Sequence, residues 1–350
     1  MNDYQVSQVY PGDKHGNGQV DALLRQEGIR RDQNLDYTCG IFDDNENIVA
    51  TGSCFGNTLR CLAVSSSHQG EGLMNKIVTN LIEVQYARGN LHLFLYTKCD
   101  TAKFFQDLGF YEIVRVEDQN IVFMENRRTG FEDYLDALKT EGAQSGLQAA
   151  AVVMNANPFT LGHRFLAEKA AAENELLHLF IVSEDVSLIP LSVRKRLVME
   201  GTSHLHNIVF HDSGPYIISN ATFPSYFQKD EQSVIAGHAK LDLAVFRRIA
   251  AALHITRRYV GEEPKSQVTG IYNRIMAEEL PKSGIECVMV PRKKADGQII
   301  SASTVRTAIH DGDFAAFKKM VPPTTFRYFT SRDAIPVIQR IRSANDVVHY

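Results

Sequence analysis

The chain has 350 residues, is 44% hydrophobic and 22% charged, and carries a formal net charge of -4 at pH 7. That length exceeds what one hydrophobic core usually serves, so two domains are expected, and the ordinary composition excludes a disordered chain. The mild acidity argues against a general nucleic-acid binder, whose footprint is basic, and no apolar run approaches the ~18 residues of a membrane span, so neither nucleic acid nor membrane is an expected partner.

The opening "MNDYQVSQVY" has no basic stretch followed by an apolar run, so no secretory signal is expected. The five cysteines (Cys39, Cys54, Cys61, Cys99, Cys287) are odd in number and lack C-x-x-C spacing. Neither a disulfide framework nor a structural zinc follows; reduced thiols in a cytoplasm fit best.

Strands dominate early. "YTCGIFDDNENIVATGSCFG" reads as a hairpin around a polar turn, and "TLRCLAV" as a third strand. "GEGLMNKIVTNLIEVQYARG" carries Leu73, Ile77, Leu81 and Val84 at helical spacing. "LHLFLYT" is a further strand and "TAKFFQDLGF" a short helix whose end suits Gly109. Between about 126 and 147 lies a boundary, with an amphipathic helix from Phe131 to Lys139 and then a Gly/Ser/Gln linker.

Beyond it strands and helices alternate: "LQAAAVVM", "LLHLFIVS", "NIVFHDS", "RRYVGEE" and "IECVMVPR" as strands, with helical patterns between them. This alternation implies a doubly wound parallel sheet with helices on both faces. The expected division is an α+β domain over 1–130, a linker helix over 131–147, a parallel α/β domain over 148–325 and a tail over 326–350 with one helix from Ala334 to Arg342.

The segment after the first strand of the α/β domain reads "NANPFTLGH", Asn155 to His163. Asn155 and Asn157 stand at the strand's C-terminal edge, where doubly wound sheets bind ligands. Gly162 lets backbone approach an anion, and the helix start that follows offers free N–H groups and the positive end of its dipole. His163 can donate to a phosphoryl oxygen there. Near the domain's end, "ISASTVR" places Ser301, Ser303 and Thr304 at a helix start and Arg306 one turn in, hydroxyls and a guanidinium suited to phosphate.

Thr160-Leu161-Gly162-His163 resembles the (H/T)-x-G-H signature of the nucleotidyltransferase superfamily, and Ile300 to Arg306 its I-S-S-T-x-x-R signature. Ala302 stands where that motif has its second Ser, so one hydroxyl is lost. "VGEEP", with Gly261, resembles the superfamily's strand end that lines the nucleotide. The resemblance implies attack on the α-phosphate of a nucleoside triphosphate with release of pyrophosphate. His163 and Arg306 would stabilise the developing charge while Mg²⁺ bridges the phosphates. His204, His206 and His211 are too loosely spaced for a metal site and read as surface or satisfied histidines.

In the first domain, Gly70 and Gly72 precede a helix and leave N–H groups for a pyrophosphate. The segment resembles the Q/R-x-x-G-x-G/A motif of GNAT acetyltransferases, with Ser67 where Gln or Arg is usual. The stretch with Phe104, Phe105, Gly109 and Phe110 resembles that family's second motif, and the strand–strand–strand–helix–strand–helix order agrees. No general base is identifiable.

The two halves together resemble the citrate lyase ligase family over about residues 1 to 345, including "YIISNATFPSYFQKD" from Tyr216 to Asp230. That resemblance implies ATP and acetate as substrates. It also implies citrate lyase as partner, through the thiol of a phosphoribosyl-dephospho-CoA group on its acyl carrier subunit. Ser219, Thr222 and Tyr226 could line a pocket or equally form a packed loop. Of Arg194 and Arg196, one is expected to reach a phosphate or carboxylate, and Arg292, Lys293 and Lys294 could also meet an anion. The alternative left open is an adenylyltransferase acting on phosphopantetheine or a related alcohol phosphate.

Overall fold

The computed structural model describes residues 4–32, 34–142, 147–183, 187–217, 231–262, 267–295, 297–344 and 347. Two compact units form: Met1–Phe131 with Phe223–Ala244, and Glu132–Thr222 with Val245–Tyr350.

The first unit is an α+β fold built on a seven-stranded sheet. Its strands are β1 (Val6–Gln8), β2 (Tyr37–Phe42), β3 (Ile48–Phe55), β4 (Thr58–Val64), β5 (Phe94–Thr97), β6 (Tyr111–Val116) and β7 (Ile121–Glu125), in the order β1-β2-β3-β4-β5-β7-β6. Helix α1 (Lys14–Gln26) follows β1, and α2 (Leu73–Ala87) and α3 (Ala102–Asp107) flank β5. Thus the three strands, helix, strand and helix read from the sequence all form.

Helix α2 packs because Leu73, Ile77 and Leu81 share one buried face, each contributing roughly 1.5–3 kcal/mol of apolar burial. It lies close to β3 at Gly52, where a Cβ would stand 2.5 Å from Ile77 and 2.9 Å from Leu81. Every neighbouring pair in the sheet is antiparallel except β4 and β5, which run parallel. That pair is held only at Thr58↔Phe94 and Leu59↔Leu95, so the C-terminal parts of the two strands continue unpaired with each other.

The second unit is a Rossmann-like doubly wound sheet of five parallel strands. They are β8 (Ala149–Met154), β9 (Leu176–Ile181), β10 (Ile208–Asp212), β11 (Ile255–Gly261) and β12 (Glu286–Val290), in the order β10-β9-β8-β11-β12. Helix α4 (Gly130–Gly142) leads into the sheet, and α5 (Leu161–Ala172), α6 (Leu191–Gly201), α7 (Glu231–Ala252), α8 (Gln267–Glu279) and α9 (Ala302–Asp311) connect or follow its strands. Strand β9 is buried along its whole length, as a central parallel strand must be when helices cover both faces.

After α9 come three short helices, Phe314–Met320, Pro323–Phe329 and Ile335–Ser343. Phe317, Phe329, Val337 and Ile341 from these helices are buried in one apolar cluster with Val152, Leu179, Val198 and Val305. The winding direction reverses between β8 and β11, and such a switch point opens a crevice at the strands' C-terminal ends. Among the described residues, no helix is long and apolar enough to cross a membrane.

Candidate active site

The turn after β8 is fixed residue by residue. Asn155 is half-buried, and its side-chain oxygen accepts from Arg194 Nη1 at 2.8 Å. Ser187 Oγ lies 3.2 Å from both ends of the same amide. Ala156 adopts a φ of +51°, the left-handed region that residues with a Cβ rarely occupy, and the Asn157–Pro158 peptide is cis. Asn157 is buried; its Oδ1 accepts the Ile189 N–H at 3.2 Å. Its Nδ2 has no hydrogen-bond partner among the described residues. A buried donor left unpaired costs stability, so a ligand oxygen at this point would be favoured.

Helix α5 starts with a reciprocal cap. Thr160 Oγ1 accepts the His163 N–H at 3.2 Å, and His163 Nδ1 accepts the Thr160 N–H at 3.1 Å. An accepting Nδ1 puts the proton of the neutral ring on Nε2, so Nε2 is the donor His163 has to offer. Burial, with the nearby charges of Arg292 and Arg306, pushes the His163 pKa down to about 4. The ring is therefore a neutral donor at pH 7, and the charged form is disfavoured here. At Gly162 an added Cβ would meet the Ile300 carbonyl and Thr160 Oγ1 at 3.4 Å and Ile300 Cγ2 at 3.9 Å, all ordinary contacts. The protein itself does not demand glycine at this position; a ligand lying against the turn would.

Helix α9 begins on Ser301, whose Oγ accepts the Thr304 N–H at 3.1 Å. The same oxygen lies 2.9 Å from Ser303 Oγ and 2.7 Å from Thr304 Oγ1, so three hydroxyls gather at one helix start. Arg306 is only 2% exposed, and it donates through Nη1 to the Asn157 carbonyl and through Nε to the Val347 carbonyl, both at 2.6 Å. The guanidinium thus ties α9 to the turn after β8. The fork onto a phosphate expected from sequence would have to share these donors.

Gly261 ends β11, and its carbonyl accepts from Asn273 Nδ2 at 3.0 Å. Arg292 lies along it, with Nε 3.6 Å and Cζ 3.7 Å from where a Gly261 Cβ would stand. Asn155, Asn157, Thr160, Gly162, His163, Gly261, Ser301 and Arg306 thus converge on the ends of β8, β11 and β12, around the switch point. Glu263 and Pro264 of "VGEEP", and Ser219, Thr222 and Tyr226, lie outside the described residues.

Arg194 is fully buried and donates to the carbonyls of Asn155 and Val182 at 2.8 Å and of Ile189 at 3.0 Å, so it organises strand ends. Arg196 lies 5.0 Å over the Tyr328 ring. His204 sits on the surface 2.9 Å from Glu168, whereas His211 is buried 2.9 Å from His178. Ser187 was not singled out from sequence; nothing in "SLIPLS" marks one serine over the other as the partner of Asn155.

In the first unit, Gly70 and Gly72 hold φ of +86° and +74°, and a Cβ on either would meet nothing within 4 Å. Glycine is required there by backbone conformation. Gly72 caps α2 without any side-chain hydrogen bond, so the first-turn N–H groups of α2 are left to solvent or ligand. Ser67, in the place of the motif's Gln or Arg, lies 2.9 Å from both Ser65 Oγ and His68 Nδ1.

Comparison with known proteins agrees with this arrangement. The family model for the citrate lyase ligase C-terminal domain matches residues 149–329. The chain is 38% identical over 318 residues to citrate (pro-3S)-lyase ligase of Haemophilus influenzae, covering 88% of this chain and 93% of that protein. It is also 38% identical over 316 residues to the protein of the same name from Escherichia coli K12, covering 88% of this chain and 89% of that one. The chain belongs to the citrate lyase ligase family.

Proposed function

We propose that this chain activates citrate lyase by adenylating acetate and passing the acetyl group to the lyase's carrier thiol. In the first step an acetate oxygen attacks the α-phosphorus of ATP. A new O–P bond forms, the bond to the β-phosphate oxygen breaks, and pyrophosphate leaves. In the second step the thiolate of the phosphoribosyl-dephospho-CoA group attacks the acetyl carbon. The thioester forms, the acyl–phosphate bond breaks, and AMP leaves.

The observation that carries this reading is His163, a neutral imidazole at the switch-point turn whose Nδ1 is already committed to the Thr160 N–H. Its Nε2–H is preorganised to meet charge building on the α-phosphate, the kind of donor that electrostatic catalysis uses. The unpaired Asn157 Nδ2 and the hydroxyls of Ser301, Ser303 and Thr304 add donors to the same crevice. Among the described residues, no three His, Cys, Asp or Glu side chains gather to hold a metal. The nucleotide would be used as its magnesium complex, the ion supplying positive charge to the phosphates.

The glycine-marked start of α2 and the splayed ends of β4 and β5 in the first unit suit the CoA-like arm. All five cysteines are free thiols, in keeping with a cytoplasmic setting.

ATP–pyrophosphate exchange without carrier protein tests the first step. Exchange that depends on acetate is expected. Exchange with phosphopantetheine in place of acetate would transfer the reading to an alcohol-phosphate adenylyltransferase. No acetylation of deacetyl citrate lyase by ATP and acetate would overturn it.

A further inference from the structure

We infer that Phe159, a residue outside both sequence motifs, is a positioning residue that sets the plane of the His163 ring, and that Gly201 at the end of α6 is kept small to seat it. The inference rests on the adenylation proposed above, in which the His163 Nε2–H meets the α-phosphate.

Three observations carry it. Phe159 sits in the turn between β8 and α5, fully buried in the apolar cluster that also holds Leu166, Leu197 and Val198. Its ring lies 5.9 Å from the His163 ring at an interplanar angle of 14°, the spacing and tilt of offset-stacked rings. Next, both contacts of the imidazole with Thr160, to the N–H at 3.1 Å and to Oγ1 at 3.0 Å, are made through Nδ1 alone. A ring held at one atom can still tilt about it. A flat neighbour fixes the plane and so aims Nε2, and that neighbour is itself locked by packing.

The third observation is Gly201. It is helical and its φ is not left-handed, so its own backbone does not ask for glycine, and alanine is the better helix former. A Cβ there would stand on the Cδ1–Cε1 edge of the Phe159 ring, 2.9 Å from Cδ1. The end of α6 is tied down beside it: Thr202 is buried, and its N–H and Oγ1 donate to the Val198 carbonyl at 3.0 and 2.7 Å. An added methyl would therefore drive the Phe159 ring, and with it the imidazole plane.

The test uses the full chain and two variants that leave His163 and Thr160 unchanged. G201A should lower kcat for acetate-dependent ATP–pyrophosphate exchange about tenfold or more while the KM for ATP stays within about twofold, because aim rather than binding is disturbed. F159L takes away the flat neighbour without adding volume, so it keeps the test open if G201A does not fold, and the same split is expected of it. The double variant G201A/F159L should lose less than the product of the two single losses, since the smaller side chain gives the methyl room. In ligand-free G201A the His163 ring-proton resonances, followed by NMR, should move. A role confined to core packing would lower the melting temperature alone. Parent-like kcat in either folded variant, or unmoved His163 resonances in G201A, would overturn the inference. A parent protein without acetate-dependent exchange would bring down the adenylation reading itself, and the resonances would still decide whether Phe159 sets the His163 ring.

Discussion

Helix α2 of the first unit and helix α5 of the second both follow a sheet strand and both carry glycine at their start, yet they are built differently. Gly72 caps α2 in the left-handed conformation, with no side-chain cap and open space around it. Helix α5 starts on Thr160 with two reciprocal hydrogen bonds, and its glycine lies inside the first turn with ordinary contacts. In one place glycine answers the chain's own dihedral angle; in the other the chain itself does not require it, and on the function proposed here a ligand would. The first start presents bare backbone, which on the function proposed here would meet an extended arm. The second adds a titratable donor of fixed tautomer, which a chemical step needs and a docking step does not.

Measurements on substituted chains and against pH sharpen or break that contrast. His163→Ala should have the largest effect, lowering acetate-dependent exchange about 10²–10³-fold, whereas no substitution at the start of α2 should slow exchange comparably. Arg306→Met should leave the Asn157 and Val347 carbonyls without their donor. A loss of about 1–3 kcal/mol in chemical denaturation is expected for a buried carbonyl left unpaired.

The glycine pair comes next and should split in sign. Gly72→Ala forces a φ of +74° on a residue with a Cβ and should cost about 1–2 kcal/mol, slowing acetyl transfer to the carrier but not exchange. Gly162→Ala should leave stability unchanged or raise it by up to about 1 kcal/mol, while the KM for ATP rises; an unchanged KM would mean that no ligand lies against that turn.

The smallest effect is a flatness in pH. The pKa of His163 is about 4 in the folded chain against 6.5 as its ordinary value, so its donor form persists and exchange should not fall as pH rises from about 6 to 8. Because the folded pKa is the lower one, the stability the neutral ring contributes is fully present above 6.5 and is lost as pH falls toward 4. Burial pushes His178 down to about 4 as well, so its effect runs in the same direction. Melting curves between pH 7 and 5 should show the loss, and His163→Gln should remove part of it.

Much of the second unit could be read from sequence because its strands are apolar runs and its helices carry apolar stripes, two periods that do not resemble each other. The site was legible where a strand's end is followed by Asn, Gly and His. The first unit was harder. The stretch "KHGNGQVDALLRQ" has two glycines near its start and reads poorly as a helix, yet α1 forms because Asp13 caps it and Val20, Leu23 and Leu24 are buried. The β6–β7 pair turns through Asn120 at a φ of +51° without a following glycine, a weak turn signal. Sequence also could not tell what an arginine's donors face. Arg194 and Arg306 are phosphate candidates on paper; in the structure both also donate to main-chain carbonyls, and that of Arg306 at Val347 belongs to a distant part of the chain.

The make-up of the first unit bears on how the protein is made. Its residues end at Phe131 and resume at Phe223–Ala244, and Lys240 returns to pair with Asp118. During synthesis the sheet emerges long before the helix segment that completes its unit, a wait on the order of ten seconds at ~5–20 residues per second. A fragment cut at residue 130 would reproduce that nascent state permanently. Dissecting the two activities therefore calls for point substitutions in the intact chain rather than for scissors at the apparent linker.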